Sequence, residues 1–194
     1  ITASQVFNMP VEMVTPTMRS RAKAVNFGIV YGIGAYSLAK DIKVTNKEAS
    51  KYIKDYLAHY SGVDEYMKNV VEKAKRDGYV ETMFGRRRYL PELSSGKHMM
   101  RAFGERVARN MPIQGTAADI IKIAMIKVDE RMKKEGLQAR LILQVHDELI
   151  VEAPENEKET VAKLLQEEME NAVKLSVPLT ADAAVGRTWY DAKN

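Results

Sequence analysis

The stretch Leu141-Ile142-Leu143-Gln144-Val145-His146-Asp147-Glu148-Leu149-Ile150-Val151-Glu152 decides the fold class. Two apolar runs of β type flank three adjacent ionisable residues, the pattern of a hairpin with a polar tip. Tight hairpins commonly carry Asn-Gly or Asp-Gly at the tip, because the turn needs positive φ. This tip has neither, so its residues serve something other than easy turning. Adjacent carboxylates repel, and holding Asp147 beside Glu148 points to a divalent cation that offsets the repulsion. Hard oxygen ligands suit Mg²⁺, which takes one or two carboxylates and adds substrate phosphate oxygens. The plainer alternative is a solvated acidic loop.

Working outward, Glu155 to Lys174 reads as a charged amphipathic helix and Pro178 to Val185 as a last strand. Upstream, Lys97 to Lys134 is helical in pattern, with a bend expected near Pro112, which lacks an N–H and crowds the preceding turn. Tyr79 to Met83 and Arg87 to Leu90 are short strands around Phe84-Gly85. Thr45-x-x-Glu48 is a capping box that starts a helix. Ser61-Gly62 ends it, and another helix follows to about Asp77-Gly78. Thr15-Pro16 opens the first helix, since Thr suits the N-cap and Pro the first helical position. That helix runs from about 16 to 31 and stops at Gly32 and Gly34. Helices early and a helix-backed antiparallel sheet late make the chain α+β.

Composition sets the class. Of 194 residues, 45% are hydrophobic and 29% charged, a globular balance rather than that of a disordered tail. No apolar run approaches the roughly 18 residues needed to span a bilayer, so no membrane partner is expected. The start, Ile1 to Phe7, has no basic region and no initiator Met, which suggests a beginning inside a larger protein. Cysteine is absent, which removes disulfide scaffolds and Cys-based zinc sites. Net charge is only +4, but Arg86, Arg87, Arg88, Lys97, Arg101, Arg106 and Arg109 face only Glu92 and Glu105 in the same stretch. A cationic middle and an acidic late helix suggest a surface facing a polyanion, or simply a solvated basic face.

Arg19, Lys23, Phe27 and Tyr31 recur every four residues on the first helix, so they form one slanted stripe. Two cations near a helix N-terminus sit where the dipole is already positive, an arrangement that favours a bound anion. The aromatics further along offer faces for a flat ring, so the stripe is ordered like a nucleotide. An ordinary amphipathic helix with Phe27 and Tyr31 in the core has the same spacing. A second stripe, Arg106, Asn110 and Gln114, carries one cation and two amides. Such groups reach minor-groove acceptors, which are nearly the same in every base pair. Polar surface residues would look alike here too.

The context of these stripes is more specific. The run from Arg19 to Gly32 closely resembles motif B of family A DNA polymerases, the bacterial DNA polymerase I type. Gln144 to Glu148 resembles motif C of that family, and Glu105 to Asp119 its palm helix. Thr82 to Arg88 and Thr188 to Lys193 are also similar to the family, the latter to its natural C-terminus. The resemblance covers nearly the whole chain but only the last part of a polymerase domain. It implies a mobile nucleotide-binding helix within a fingers subdomain at 1–97, and the C-terminal part of a palm at 98–194. It implies Arg19 and Lys23 on the incoming triphosphate, Phe27 against its sugar and base, and Tyr31 closing the pocket near the templating position. Lys23 is then also the candidate proton donor to pyrophosphate, Asp147 a metal ligand in the palm, and Glu148 its catalytic neighbour. His146 falls on the primer strand, with Arg106, Asn110 and Gln114 on the DNA. Thr82 to Arg88 are expected on the nucleic-acid backbone, and Asp119 is read as structural.

The implied activity is template-directed transfer of deoxynucleotides to a primer 3′-hydroxyl with two Mg²⁺ ions, in a bacterial cytoplasm at the nucleoid. The partners implied are primer-template DNA, deoxynucleoside triphosphates and the missing N-terminal part of the same polymerase. That chemistry needs a second carboxylate, which the family supplies from motif A, Asp-Tyr-Ser-Gln-Ile-Glu. This sequence has no such motif: Asp55-Tyr56 sits in the capped helix, and the surroundings of Asp182 match another part of the palm. The fragment alone is therefore expected to be inactive. The alternatives are a piece of a single-subunit RNA polymerase and a non-catalytic nucleic-acid-binding module; Phe27 and Glu148 favour DNA synthesis. His59 and His98 receive no role.

Overall fold

The computed structural model describes residues 3, 4 and 9 to 193. The chain is mostly helical, with two small antiparallel two-stranded sheets. It divides into two compact units, Ile1–Ile113 and Gln114–Asn194.

In the first unit, α1 (Pro16–Val30), α2 (Ala35–Ile42) and α3 (Asn46–His59) enclose one core. That core gathers Val25, Ile29, Leu38, Ala39, Ile42, Ala49 and Tyr56. The buried Tyr56 hydroxyl donates to Asn26 Oδ1, so α3 fixes the middle of α1 through a polar contact as well. The capping box forms as expected: Glu48 N donates to Thr45 Oγ1 at 3.2 Å, and Thr45 N donates to Glu48 Oε2 at 2.9 Å. Helix α2 departs from expectation, because the Gly32 and Gly34 stop signals were read without a helix after them. Gly34 instead serves as the N-cap of α2, and Lys43, at φ 55°, ends it in the left-handed conformation.

A second core lies between α4 (Ser61–Asp77), the hairpin of β1 (Tyr79–Glu81) and β2 (Arg87–Tyr89), and the start of α5 (His98–Lys134). Val71, Ala74, Val80, Leu90, Leu93 and Ala108 fill it. Across the hairpin, Tyr79 pairs with Tyr89 and Glu81 with Arg87. Helix α5 runs on through Pro112 as one element.

In the second unit, the later part of α5 packs with α6 (Lys158–Glu170) and the hairpin of β3 (Arg140–Val145) and β4 (Glu148–Glu152). Ala124, Val128, Met132, Leu149, Val161 and Leu164 are its buried centre. A bulge at Ile142 shifts the register between Leu141 and Leu143, and Ile142 and Leu143 are left exposed. Helix α6 is shorter than the expected 155–174, because Glu157 turns back to accept from Gln138 N and Ala139 N before the helix begins. The expected strand at Pro178–Val185 does not form. A strand exists only through a partner ladder, and here Ala181 N donates to the Glu170 carboxylate at 3.1 Å instead.

Arg131 ties α5 to α6, donating to Glu167 at 2.7 Å and Glu168 at 3.0 Å as well as to Glu135 at 2.8 Å. Its hydrogen bond holds the Glu167 carboxyl below the usual range. A depressed carboxylate contributes stability at pH above its unfolded value and loses it as pH falls through the folded one. Glu167→Gln should therefore lower stability slightly at neutral pH, leave it nearly unchanged in acid, and so flatten the acid limb of a pH-dependent unfolding curve. Leu164→Ala, at a 1% exposed position, should cost about 2–5 kcal/mol in urea unfolding.

Candidate functional site

In the first unit the site is α1. Thr15 Oγ1 accepts from Met18 N at 3.3 Å, and Pro16 occupies the first turn. Ala22, Val25 and Ile29 take the buried face, which leaves Arg19, Lys23 and Phe27 exposed on the other. Phe27 is 48% exposed, so it is not core. Lys23 Nζ lies 5.7 Å from the Phe27 ring centre, and the Phe27 and Tyr31 rings are stacked 6.0 Å apart at 25°. Among the described residues neither Arg19 nor Lys23 has an acidic partner. The stripe read from spacing is thus one continuous cationic and aromatic surface.

The C-terminal end of α1 is closed by a Schellman motif. Ile33 N donates to Gly28 O at 2.7 Å and Gly32 N to Ile29 O at 2.9 Å, with Gly32 at φ 71°. A β-carbon on Gly32 would lie 3.3 Å from Arg109 Nη1 and 3.7 Å from Arg106 Cγ. Glycine thus lets the end of α1 meet α5 beside Arg106, bringing Tyr31 and Arg106 to one neighbourhood of the unit. Arg106 lies 5.9 Å over the Phe103 ring. Asn110 presents an enclosed Oδ1 without a donor, whereas Gln114, in the second unit, is exposed.

The basic middle is partly neutralised within its own unit. Arg87 donates to Glu81 at 3.3 Å and stacks 4.5 Å over Tyr79. Glu105 lies 3.6 Å from Arg109 and 3.1 Å from Lys75. A net count along the sequence therefore overstates the field this stretch presents.

In the second unit the site is the turn between β3 and β4. Val145 pairs with Glu148, so His146 and Asp147 are its central residues. His146 sits at φ 54°, a left-handed conformation that costs a β-carbon residue free energy. Gln144 Nε2 donates to His146 O at 2.7 Å and braces the turn. Asp147 is exposed and has no hydrogen-bond or ion-pair partner among the described residues. Glu148 differs: its Oε1 accepts from Lys193 Nζ at 2.9 Å, while its Oε2 is enclosed without a donor.

Among the described residues no three His, Cys, Asp or Glu side chains gather as a metal site. One free carboxylate and a half-satisfied neighbour fit a hard cation that draws its other ligands from elsewhere. Asp119 is buried in α5, in keeping with a structural reading. Asp55 lies on α3, Asp182 is exposed in a segment without regular secondary structure, and His59 packs edge-on to Tyr60.

Residues 1–191 match the family model described as DNA polymerase family A. The chain belongs to this family. It is 55% identical over 192 residues to DNA polymerase I of Bacillus caldotenax, covering 99% of this chain and 22% of that protein. DNA polymerase I of Bacillus subtilis is 54% identical, with the same coverage. Among solved structures, the POL domain of Pol1 from M. smegmatis, in complex with DNA primer-template and dNTP, superposes with a TM-score of 0.95 at 46% identity. That match takes in 100% of this chain and 34% of the other. The family A chain thus spans about a fifth of the length of the curated relatives it matches.

Sequence reasoning missed two groups at the turn. Lys193 was read only as part of a terminal motif, and Gln144 only as part of the hairpin run; the Gln144 brace was within reach of a local side-chain-to-backbone argument. His146→Gly should relieve the left-handed strain and stabilise the hairpin by about 1 kcal/mol, read by thermal unfolding. No gain would mean that the backbone at His146 is unstrained.

Proposed function

We propose that this family A chain is the nucleotide-gripping part and one carboxylate portion of a template-directed DNA polymerase. The observation that carries the reading is Arg19 and Lys23, without acidic partners among the described residues, continuing into exposed Phe27 and half-buried Tyr31 along one stripe of α1 and its C-terminal end. Cations without acidic partners suit an anion, and aromatics in line with them suit the sugar and base that follow a triphosphate.

In the reaction, the primer 3′-oxygen bonds to the α-phosphorus of a deoxynucleoside triphosphate as the bond to pyrophosphate breaks. Arg19 and Lys23 hold the phosphate oxygens, and Lys23 gives a proton to the departing pyrophosphate. Phe27 lies against sugar and base, and Tyr31 closes the pocket near the templating position. Asp147 is the metal ligand, Glu148 its catalytic neighbour, and His146 contacts the primer strand. Arg106, Asn110 and Gln114 attend the DNA minor groove. When bound, two Mg²⁺ ions supply activation of the primer hydroxyl and stabilisation of the leaving oxygen. The second carboxylate that such ions require is absent from this sequence, so the chain works only with a neighbouring part of the same polymerase. Phe27 and Glu148 favour deoxynucleotides over ribonucleotides. No described helix is long and apolar enough to cross a membrane. The polymerase reading and the bacterial relatives support a place in the bacterial cytoplasm, on nucleoid DNA.

A primer-extension assay tests this directly. The complete polymerase should extend a primer with deoxynucleotides in preference to ribonucleotides, and the isolated fragment should not extend it. Asp147→Ala in the complete protein should lower turnover by on the order of a thousandfold or more, while primer-template affinity stays within about twofold. Normal turnover in that variant would remove Asp147 from the chemistry. Template-dependent extension by the fragment alone would show that it carries a sufficient carboxylate set.

A further inference from the structure

The geometry points to Lys193 as a positioning residue for Glu148, held in place by the short helix α7 (Trp189–Lys193); this rests on the polymerase reading of the acidic turn. Lys193 Nζ donates to Glu148 Oε1 at 2.9 Å, although the two residues are 45 positions apart. The same ammonium lies 5.6 Å from the Trp189 ring centre, so its stem is steered by an aromatic face of its own helix.

The placement of α7 is itself specified. Thr188 Oγ1 accepts from Asp191 N at 3.3 Å and donates to Asp191 Oδ2 at 2.8 Å, which closes the first turn. A β-carbon on Gly186 would fall 2.5 Å from Ala192 N and 2.9 Å from Asp191 C. Backbone atoms cannot yield to that, so α7 seats against Gly186 only because that residue has no side chain. A chain that merely trailed past the hairpin would need neither device.

The effect falls on one carboxylate and not its neighbour. Glu148 is pinned at Oε1 while Oε2 is enclosed without a donor. A group satisfied at one oxygen and unsatisfied at the other is oriented, not merely neutralised. An exposed ion pair contributes little to stability, so orientation is what this contact supplies. The lysine also offsets the repulsion between Glu148 and Asp147, leaving the Asp147 carboxylate free for a cation.

The test uses the complete polymerase carrying Lys193→Met, which keeps the stem and removes the charge, beside Lys193→Arg. The methionine variant should lower kcat about tenfold, with the deoxynucleotide KM and primer-template Kd within about twofold, and arginine should restore most of the loss. Gly186→Ala, which displaces α7 without touching Glu148, should move the same parameter. In a Glu148→Gln background Lys193→Met should add less than about twofold, because both changes remove one interaction. Independently of activity, a crystal structure of the Lys193→Met protein on primer-template should show the Glu148 carboxylate in a different rotamer. An active polymerase indifferent to Lys193→Met, a loss fully additive with Glu148→Gln, or an unmoved Glu148 would each overturn the inference. Absence of extension by the unsubstituted protein would instead sink the polymerase reading itself, and with it this role.

Discussion

Burial of apolar side chains along α5 is the constraint on which two of the three cores depend. Ala108 is sealed into the core formed with α4 and the first hairpin, and Ala124, Val128 and Met132 into the core formed with α6 and the second. Small side chains on a helix let a neighbour approach closely, and a bulkier residue at either place would force its layer apart. Each unit in turn carries a proposed functional surface. The first unit steadies the end of α1 beside Arg106 through Gly32. The second fixes the base of the hairpin, with Leu149 buried next to the exposed turn.

The proposed functional positions carry charge left without a partner among the described residues. Several ionisable groups elsewhere find one: Arg131 engages three carboxylates, Arg87 takes Glu81, and Lys75 bridges Glu72 and Glu105. Arg19, Lys23 and Asp147 do not, among the described residues. Arg19 and Lys23 share their face with aromatic rings and Asp147 adjoins Glu148, so these are the unpaired charges at which an external anion and cation have most to gain. Glu148 stands between these cases, half engaged by Lys193.

Much of the fold was legible because its signals are local. The Thr45/Glu48 box, Thr15-Pro16 and the glycines after helices act within a few residues, and each appears where the sequence placed it. Helix α2 was missed because Gly32 and Gly34 were read only as ends, although Gly34 also begins a helix. The strand expected at Pro178–Val185 failed for a different reason. Its composition suits a strand, but pairing is not a property of the segment alone. The four-residue stripes of the candidate site were visible in the spacing, whereas the exposure that separates a binding face from a core face needed the packing. The Lys193–Glu148 contact was beyond any local rule, since it joins residues brought together only by the fold.

The bulge at Ile142 has a consequence for handling the molecule. It turns two successive aliphatic side chains, Ile142 at 56% and Leu143 at 45% exposure, toward solvent on a ribbon of only two strands. Such a ribbon offers unpaired backbone edges beside an oily face, the combination that recruits other chains. This hairpin should therefore govern solubility, so colloidal behaviour would reflect its open edges before it reflected any defect in the folded cores.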